Sequence, residues 1–159
     1  MTSIVDDIID DVTILIISSP APSNPELYMI QTVIDSINNL HGLEQASILI
    51  VLDGYIIQSK NRTKKGKVTS SMANNYEQYY INLQEYYKNN QRISIIKSPS
   101  HLGFAMAVKY GLEQCTSTYA LICQHDRRFI KKFYGLKKLI RCMETVSYTH
   151  LTLPTSDLV

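Results

Sequence analysis

The chain has 159 residues, of which 45% are hydrophobic and 19% are charged, and these fractions are typical of one globular domain with enough apolar material for a core. Its formal net charge of +2 is too small to favour nucleic-acid binding, and no apolar run approaches the roughly 20 residues that a membrane-spanning helix needs. Because the acidic beginning of the chain is also unlike a secretory signal, we expect a cytoplasmic protein without a transmembrane segment.

An apolar run over residues 12–17 predicts a first strand that is covered on both faces, which favours a parallel sheet. After a loop that contains prolines, Asn24 is expected to cap a helix whose first residue is Pro25, since proline fits the first helical position. Apolar residues at helical spacing follow, and Gly42 is expected to stop this helix. The chain therefore begins as a strand followed by a helix.

A second apolar run, residues 48–52, ends in Asp53 and Gly54. Open parallel sheets bind their ligands at the carboxyl ends of their strands, so an acidic residue in this place is a candidate for binding. We expect the Asp53 side chain at the exposed end of the strand, where it contributes little to core packing.

The segment 58–71 is polar and basic and has no apolar periodicity, so it predicts a surface loop. This loop is either a solvated insertion or a basic flap over an anionic ligand. Residues 72–89 then predict a helix. One face of this helix carries, at steps of three and four residues, Tyr76, Tyr80, Leu83 and Tyr87. Such a stripe favours core packing over a stacking platform for bases or sugars.

A third strand is predicted at residues 93–96, and a loop that contains Gly103 leads from it into another helix. The apolar face of this helix is expected to hold Phe104, Ala107, Val108 and Leu112. A fourth apolar run, residues 119–123, stops at Gln124, His125 and Asp126. Because Asp126 follows a core strand directly, it is the first candidate for a functional residue.

The alternation of strands and helices predicts an α/β fold, with three α/β/α layers around a mostly parallel, Rossmann-like sheet. Residues 130–143 predict one more amphipathic helix, which has a basic face. That face is either only solvated, or it makes peripheral contact with acidic lipid head groups or with a polyanion.

Residues 146–155, VSYTHLTLPT, break this pattern because they contain three threonines and no charged residue. Read back through the genetic code, they resemble an adapter used in preparing sequencing libraries; the alternative is a genuine C-terminal strand. We therefore expect an incomplete domain over residues 1–145 and a non-native tail over residues 146–159.

Several well-known motifs of catalysis and nucleotide binding are absent from the sequence. It contains no G-x-G-x-x-G after the first strand and no G-x-x-x-x-G-K-[ST], so dinucleotide and P-loop phosphate sites are disfavoured. Neither G-x-S-x-G nor H-E-x-x-H occurs, and the four histidines have no spacing that indicates a shared metal.

Four segments follow one another along the chain: VTILIISSPAPSNP, IVLDG, SHLGFAMAVKYGLE and the strand that ends in QHD. Their order and spacing resemble the N-terminal half of a family 2-like glycosyltransferase of the GT-A fold, over residues 12–133. The last of these segments stands where the family has an Asp-x-Asp-type motif.

The resemblance implies an enzyme that transfers a sugar from a nucleotide-diphosphate sugar to an unknown acceptor, with a divalent metal, Mn²⁺ or Mg²⁺, as cofactor and no nucleic-acid partner. Asp126 and His125 would hold the metal. Asp53 would accept hydrogen bonds from the base or the ribose. The residues implied in donor binding are Ser18, Ser19, Pro20, Asp53, Gly54, Gly103 and Lys109.

The chain departs from the family pattern in two places. Gln124 replaces the first carboxylate of the Asp-x-Asp motif, which leaves Asp126 as the only ionised oxygen ligand there. The usual asparagine of the helix after the glycine loop is absent, and Lys109 stands near its place, facing either a diphosphate or solvent. Asp126 could also pair with a neighbouring arginine or cap the helix expected near Ile130.

No catalytic base is assigned, because Glu144 is the only acidic residue between Asp126 and the expected tail. We therefore expect this chain alone to be inactive in sugar transfer. A second hypothesis is a non-catalytic flavodoxin- or receiver-like module that uses Asp53 and Asp126 for metal or partner binding. A receiver would have clustered acids after its first strand, where this chain has Ser18 and Ser19.

Overall fold

The computed structural model describes residues 11–58 and 67–146. Its strands, in chain order, are β1 (Val12–Ser18), β2 (Ser47–Leu52), β3 (Ile56–Ile57), β4 (Lys67–Val68), β5 (Ile93–Lys97) and β6 (Tyr119–Gln124). Its helices are α1 (Tyr28–Ser36), α2 (Ser70–Tyr87), α3 (Phe104–Leu112) and α4 (Leu136–Val146), and a short 3₁₀ turn follows α1 at Ile37–Asn39.

The main sheet has four strands in the order β5-β2-β1-β6, and every neighbouring pair is parallel. The chain moves outward from β1 through β2 to β5 and then crosses to the other side of β1 to form β6. Because the connections diverge on either side of β1, the carboxyl edge beside it is where a crevice is expected in an open α/β sheet. The prediction of a parallel, Rossmann-like α/β fold is confirmed.

Helices cover both faces of this sheet, which completes the three layers. Side chains from α1, α2 and α4 pack with Ile14 and Ile16 of β1 on one face, and α3 packs with Leu15 and Ile17 on the other. This alternation along β1 follows from the two-residue period of a strand. The first strand is therefore buried on both faces, as its apolar run predicts.

The tyrosine stripe of α2 lies in the core, and its interpretation as packing is confirmed. Tyr76 and Leu83 are fully buried and Tyr87 is nearly so. Tyr79 is buried as well, whereas Tyr80 is only partly buried against the core. Large tyrosine rings thus fill the space between α2 and the sheet.

The face of α3 that meets the sheet agrees only in part with the expected one, because Ala107 and Val108 pack against the sheet but Phe104 and Leu112 do not. Phe104 and Leu112 are 48% and 41% exposed, whereas Ala107 and Gly111 are buried. A Cβ atom added at Gly111 would lie 2.6 Å from Cδ1 of Leu15, so the helix lies too close to the sheet for a larger residue. Small residues one turn apart, not the large apolar ones, therefore determine how α3 docks.

Two helices begin later than the sequence predicts, since polar groups near the expected starts bond elsewhere. The Asn24 side chain accepts a hydrogen bond from the Ala21 N–H at 2.8 Å and so does not cap a helix at Pro25. Residues 130–135 are not helical, because the Phe133 N–H donates to the Asn39 carbonyl at 2.7 Å and holds this segment beside the end of α1.

The start of α2 lies earlier than predicted because Thr69 caps it, accepting a hydrogen bond from the Met72 N–H at 3.2 Å. The expected basic loop is therefore shorter than residues 58–71, and its central part, residues 59–66, lies outside the described residues, as do residues 1–10. The expected tail also lies outside them, apart from Val146 at the end of α4. None of the helices in the described part is long and apolar enough to cross a membrane.

The close approach of α3 to the sheet can be tested by substituting Gly111. We expect Gly111→Leu to lower the free energy of unfolding by about 3 kcal/mol, because the new side chain has no space between α3 and the sheet. Ala105→Leu adds the same side chain to the exposed face of the same helix and should change stability by less than about 0.5 kcal/mol. Urea unfolding of both variants measures the difference, and equal stabilities would contradict this packing.

Candidate functional site

A cavity of about 560 Å³ lies at the carboxyl edge of the main sheet, where the strand order reverses beside β1. The loops after β1, β2, β5 and β6 all contribute to it. Its lining residues are Ile17, Ser19, Pro20, Asp53, Gly54, Val68, Met72, His101, Gly103, Phe104, Gln124, His125 and Asp126. This volume lies within the range of small-molecule sites, about 300–1,000 Å³.

A second opening, of about 850 Å³, lies between α1 and the C-terminal end of α2, near the amino end of β5. It is wider and shallower and is lined mainly by uncharged amides and by Tyr86 and Tyr87. Ligands of open parallel sheets bind at the carboxyl ends of the strands, and the candidate residues Asp53 and Asp126 lie there. The smaller cavity is therefore the better candidate.

The Asp53 carboxylate holds the loop that leads into α3. One oxygen accepts a hydrogen bond from the Leu102 N–H at 2.8 Å, and the other accepts one from the Gly103 N–H at 2.9 Å. Nδ1 of His101 lies 3.0 Å from the second oxygen. The carboxylate thus fixes three consecutive residues at the N-terminal end of α3, where a negative charge is also favourable to the helix dipole.

Gly54 brings the end of β2 into direct contact with the same loop. Its N–H donates to Oγ of Ser98 at 2.8 Å, and its carbonyl oxygen lies 3.1 Å from Nδ1 of His101. A Cβ atom at Gly54 would lie 2.3 Å from the carbonyl carbon of Ser100, so no other residue fits without moving backbone. The Asp53-Gly54 pair and the loop therefore form one hydrogen-bonded unit.

The expectation that Asp53 lies at an exposed strand end is wrong, since only 3% of this residue is exposed. The reason is that the loop after β5 folds over the end of β2 and encloses the carboxylate. The side chain still lines the cavity, but both of its oxygens already accept hydrogen bonds.

Asp126 has a different environment from Asp53, although both follow strands of the main sheet. Its side chain is 46% exposed, lines the cavity, and has one oxygen 3.9 Å from Nε of Arg127. It does not cap a helix at Ile130, because α4 begins at Leu136. Asp126 is therefore the accessible carboxylate of this site.

His125 is held against the end of β1. Its backbone N–H donates to the Ile17 carbonyl at 3.0 Å, and its ring Nδ1 lies 3.3 Å from the same oxygen. Burial lowers the pKa of His125 below its usual range, so the ring is neutral at pH 7. A proton on Nδ1, directed at the carbonyl, leaves the lone pair on Nε2 for a ligand.

The loop after β1 contributes Ser19 and Pro20 to the cavity, but Ser18 lies beneath it. Ser18 is 1% exposed, and its carbonyl accepts hydrogen bonds from the Asp53 N–H at 2.8 Å and the Tyr76 hydroxyl at 3.2 Å. The residue therefore supports the wall of the cavity from below.

Lys109 is not brought together with the other candidate residues. It is exposed on α3, does not line the cavity, and its Nζ lies 3.9 Å from a carboxylate oxygen of Glu113. Because the docking of α3 is determined by Ala107 and Gly111, the side chain of Lys109 faces solvent rather than the cavity.

The structure adds six cavity residues that the sequence patterns did not assign to binding: Ile17, Val68, Met72, His101, Phe104 and Gln124. His101 and Phe104 flank Gly103 in the SHLGF segment, so their place beside a strand-end loop was a usable signal. Val68 and Met72 reach the cavity only because β4 and the start of α2 fold back onto it, which no local pattern indicates.

The described residues offer little to a metal on their own. They contain no group of three or more His, Cys, Asp or Glu side chains that could hold an ion. Hard divalent cations need about six oxygen ligands, so Asp126 and His125 would have to be supplemented by ligand oxygens and water.

Comparison of the chain with models of known protein families finds no match, and comparison with curated proteins finds none either. The functional argument therefore depends on the geometry of the cavity.

The different environments of the two carboxylates give a stability test. We expect Asp53→Ala to lower the free energy of unfolding by about 2–4 kcal/mol, because it leaves the N–H groups of Leu102 and Gly103 without their acceptor. Asp126→Ala removes an exposed carboxylate at the same edge of the sheet and should change stability by less than about 1 kcal/mol. Urea unfolding of the two variants measures the difference. Similar losses of unfolding free energy in both would show that Asp53 does not hold the loop before α3.

Proposed function

We propose that this chain is the donor-binding part of a glycosyltransferase of the GT-A fold and binds a nucleotide-diphosphate sugar in the carboxyl-edge cavity. The observation that carries the proposal is the pairing, in one cavity, of the accessible Asp126 carboxylate with the Asp53-anchored loop at the start of α3. Asp126 offers a ligand for a metal that would bind the diphosphate. The loop held by Asp53 offers a fixed stretch of backbone along one side of the cavity.

The strand order favours the proposed fold over that of the alternative module. Flavodoxin- and receiver-like sheets place the third strand beside the first, whereas here the third strand of the main sheet, β5, lies beyond β2. The order β5-β2-β1-β6 is that of the first four strands of a nucleotide-binding Rossmann sheet. A non-catalytic flavodoxin- or receiver-like module is therefore disfavoured.

The chemistry of the reaction explains why these residue types suit the cavity. Transfer from such a donor builds negative charge on the leaving diphosphate. A bound divalent cation would neutralise that charge. Asp126 would hold the cation from the protein side, with His125 as a second ligand through its free ring nitrogen.

The start of α3 contributes in a different way. Gly103 and Phe104 line the cavity at the positive end of the helix dipole, which favours an anion. The buried charge of Asp53 offsets part of this attraction, so the helix end alone is a weak phosphate site. Arg127 and Arg128 follow Asp126 directly in the sequence and are exposed, so their positive charges would add attraction for a diphosphate.

Asp53 has a positioning role in this proposal. The resemblance implies that its carboxylate binds the base or the ribose, yet its oxygens are engaged by Leu102, Gly103 and His101. It would act on the donor indirectly by fixing the loop that the donor touches. Phe104, which is 48% exposed and lines the cavity, supplies an apolar surface for a base or ribose.

Calorimetry with nucleoside diphosphates, with and without Mn²⁺, tests the proposal on the full chain. We expect the uridine, guanosine or adenosine diphosphate that binds best to bind clearly more tightly when Mn²⁺ is present, because the phosphate oxygens complete the ligand set. Asp126→Asn should weaken metal-dependent binding about tenfold or more, which corresponds to about 1.4 kcal/mol.

Lys109→Ala is the matched control, because it removes an exposed charge that lies outside the cavity. We expect this variant to bind the diphosphate as the unchanged protein does. If Asp126→Asn and the unchanged protein bind the diphosphate equally well in the presence of Mn²⁺, Asp126 is not the metal ligand. A loss confined to Lys109→Ala would instead support a diphosphate contact by that residue.

A further inference from the structure

A basic surface begins directly after Asp126 and extends into α4. Its cations are Arg127, Arg128, Lys131, Lys132, Lys137, Lys138 and Arg141, and no acidic residue lies among them. Nε of Arg127 lies 3.9 Å from Asp126, whereas Arg128 and the later cations form no ion pair with the described residues. We call the surface that these seven cations form the basic surface.

Two large apolar side chains are exposed within this surface. Ile130 is 56% exposed and Tyr134 is 68% exposed, and Lys131 and Lys132 lie between them in the sequence. Their neighbours Phe129 and Phe133 point the other way, with Phe129 buried and Phe133 packed partly against the core. The segment before α4 therefore presents apolar groups and cations to solvent together.

Hydrogen bonds to the end of α1 fix this segment. The Asn39 side chain donates to the Phe129 carbonyl at 2.7 Å, and the Phe133 N–H donates to the Asn39 carbonyl at 2.7 Å. The Phe129 N–H donates to Oγ of Ser36 at 2.9 Å. These bonds hold the backbone on both sides of Ile130, whose side chain is exposed.

The apolar side of α4 is not available to a partner, since Leu136 and Ile140 are each only 8% exposed and belong to the core. The helix therefore cannot lie in a membrane interface with its apolar face inserted. The exposed groups that could enter such an interface are Ile130 and Tyr134, which precede the helix.

We propose that the basic surface binds the surface of an anionic lipid bilayer, with Ile130 and Tyr134 entering the head-group region. Each cation close to such a surface contributes about a fivefold gain in partitioning, and tyrosine favours the membrane interface. Nucleic acid also attracts cations, but phosphate contacts would leave the exposed Ile130 without a function. This proposal goes beyond the donor-binding function and does not depend on it.

Vesicle co-sedimentation of the full chain tests the proposal. We expect binding to phosphatidylcholine vesicles that contain phosphatidylserine, little binding to phosphatidylcholine alone, and weaker binding as salt increases. The double variant Lys131→Glu/Lys132→Glu should lose about tenfold or more in affinity. The double variant Lys88→Glu/Lys109→Glu has the same net charge and changes one exposed cation just after α2 and one on α3, so it should lose less than about threefold.

A second pair of double variants tests how much the exposed apolar side chains contribute to vesicle binding. Ile130→Ser/Tyr134→Ser should weaken vesicle binding while its salt dependence remains, and Ile81→Ser/Tyr86→Ser, at side chains that are 54% and 62% exposed, should bind as the unchanged protein does. All four positions are exposed, so thermal unfolding should be the same in both variants. Failure of the unchanged protein to bind the anionic vesicles, equal losses in test and control variants, or tighter binding to duplex DNA at the same salt would overturn the proposal.

Discussion

The contact on which the site most depends is the one between the Asp53 carboxylate and the backbone of Leu102 and Gly103. It joins the end of β2 to the start of α3 across about fifty residues of sequence, in a place where only glycine fits at position 54. A buried carboxylate needs such partners, because an unpaired charge in the interior is costly. The same contact forms one wall of the cavity, so the residue that holds the loop also shapes the candidate site.

Much of the fold could be predicted because its signals are local. The strands of the main sheet are apolar runs, and their positions agree with the structure to within one residue at either end. The starts of the helices were harder to predict, because a side chain that could cap a helix can form its hydrogen bond with another group instead. Asn24 closes a turn onto Ala21, and Phe133 bonds to Asn39, whereas Thr69 caps α2 without a clear signal in its basic surroundings.

The position of the candidate cavity could be predicted, but its details could not. Asp53 and Asp126 were found because each follows a strand, and all main strands end at the same edge of a parallel sheet. Their different roles depend on the loop that covers Asp53, whose partners are far away in sequence. Lys109 faces solvent because Gly111 sets the rotation of α3 on the sheet, and that close approach cannot be read from hydrophobic spacing.

The most direct test of the central claim is where a Mn²⁺-nucleoside diphosphate complex binds. Two-dimensional amide NMR spectra of the labelled chain, recorded with the nucleoside diphosphate and small amounts of Mn²⁺, locate the ion through paramagnetic broadening. We predict that the amides of Gly54, Gly103, His125 and Asp126 broaden first, while those of Asn89, Asn90 and Gln91, beside the other opening, stay sharp. Broadening at the second group, or none at the first, would contradict the proposed site.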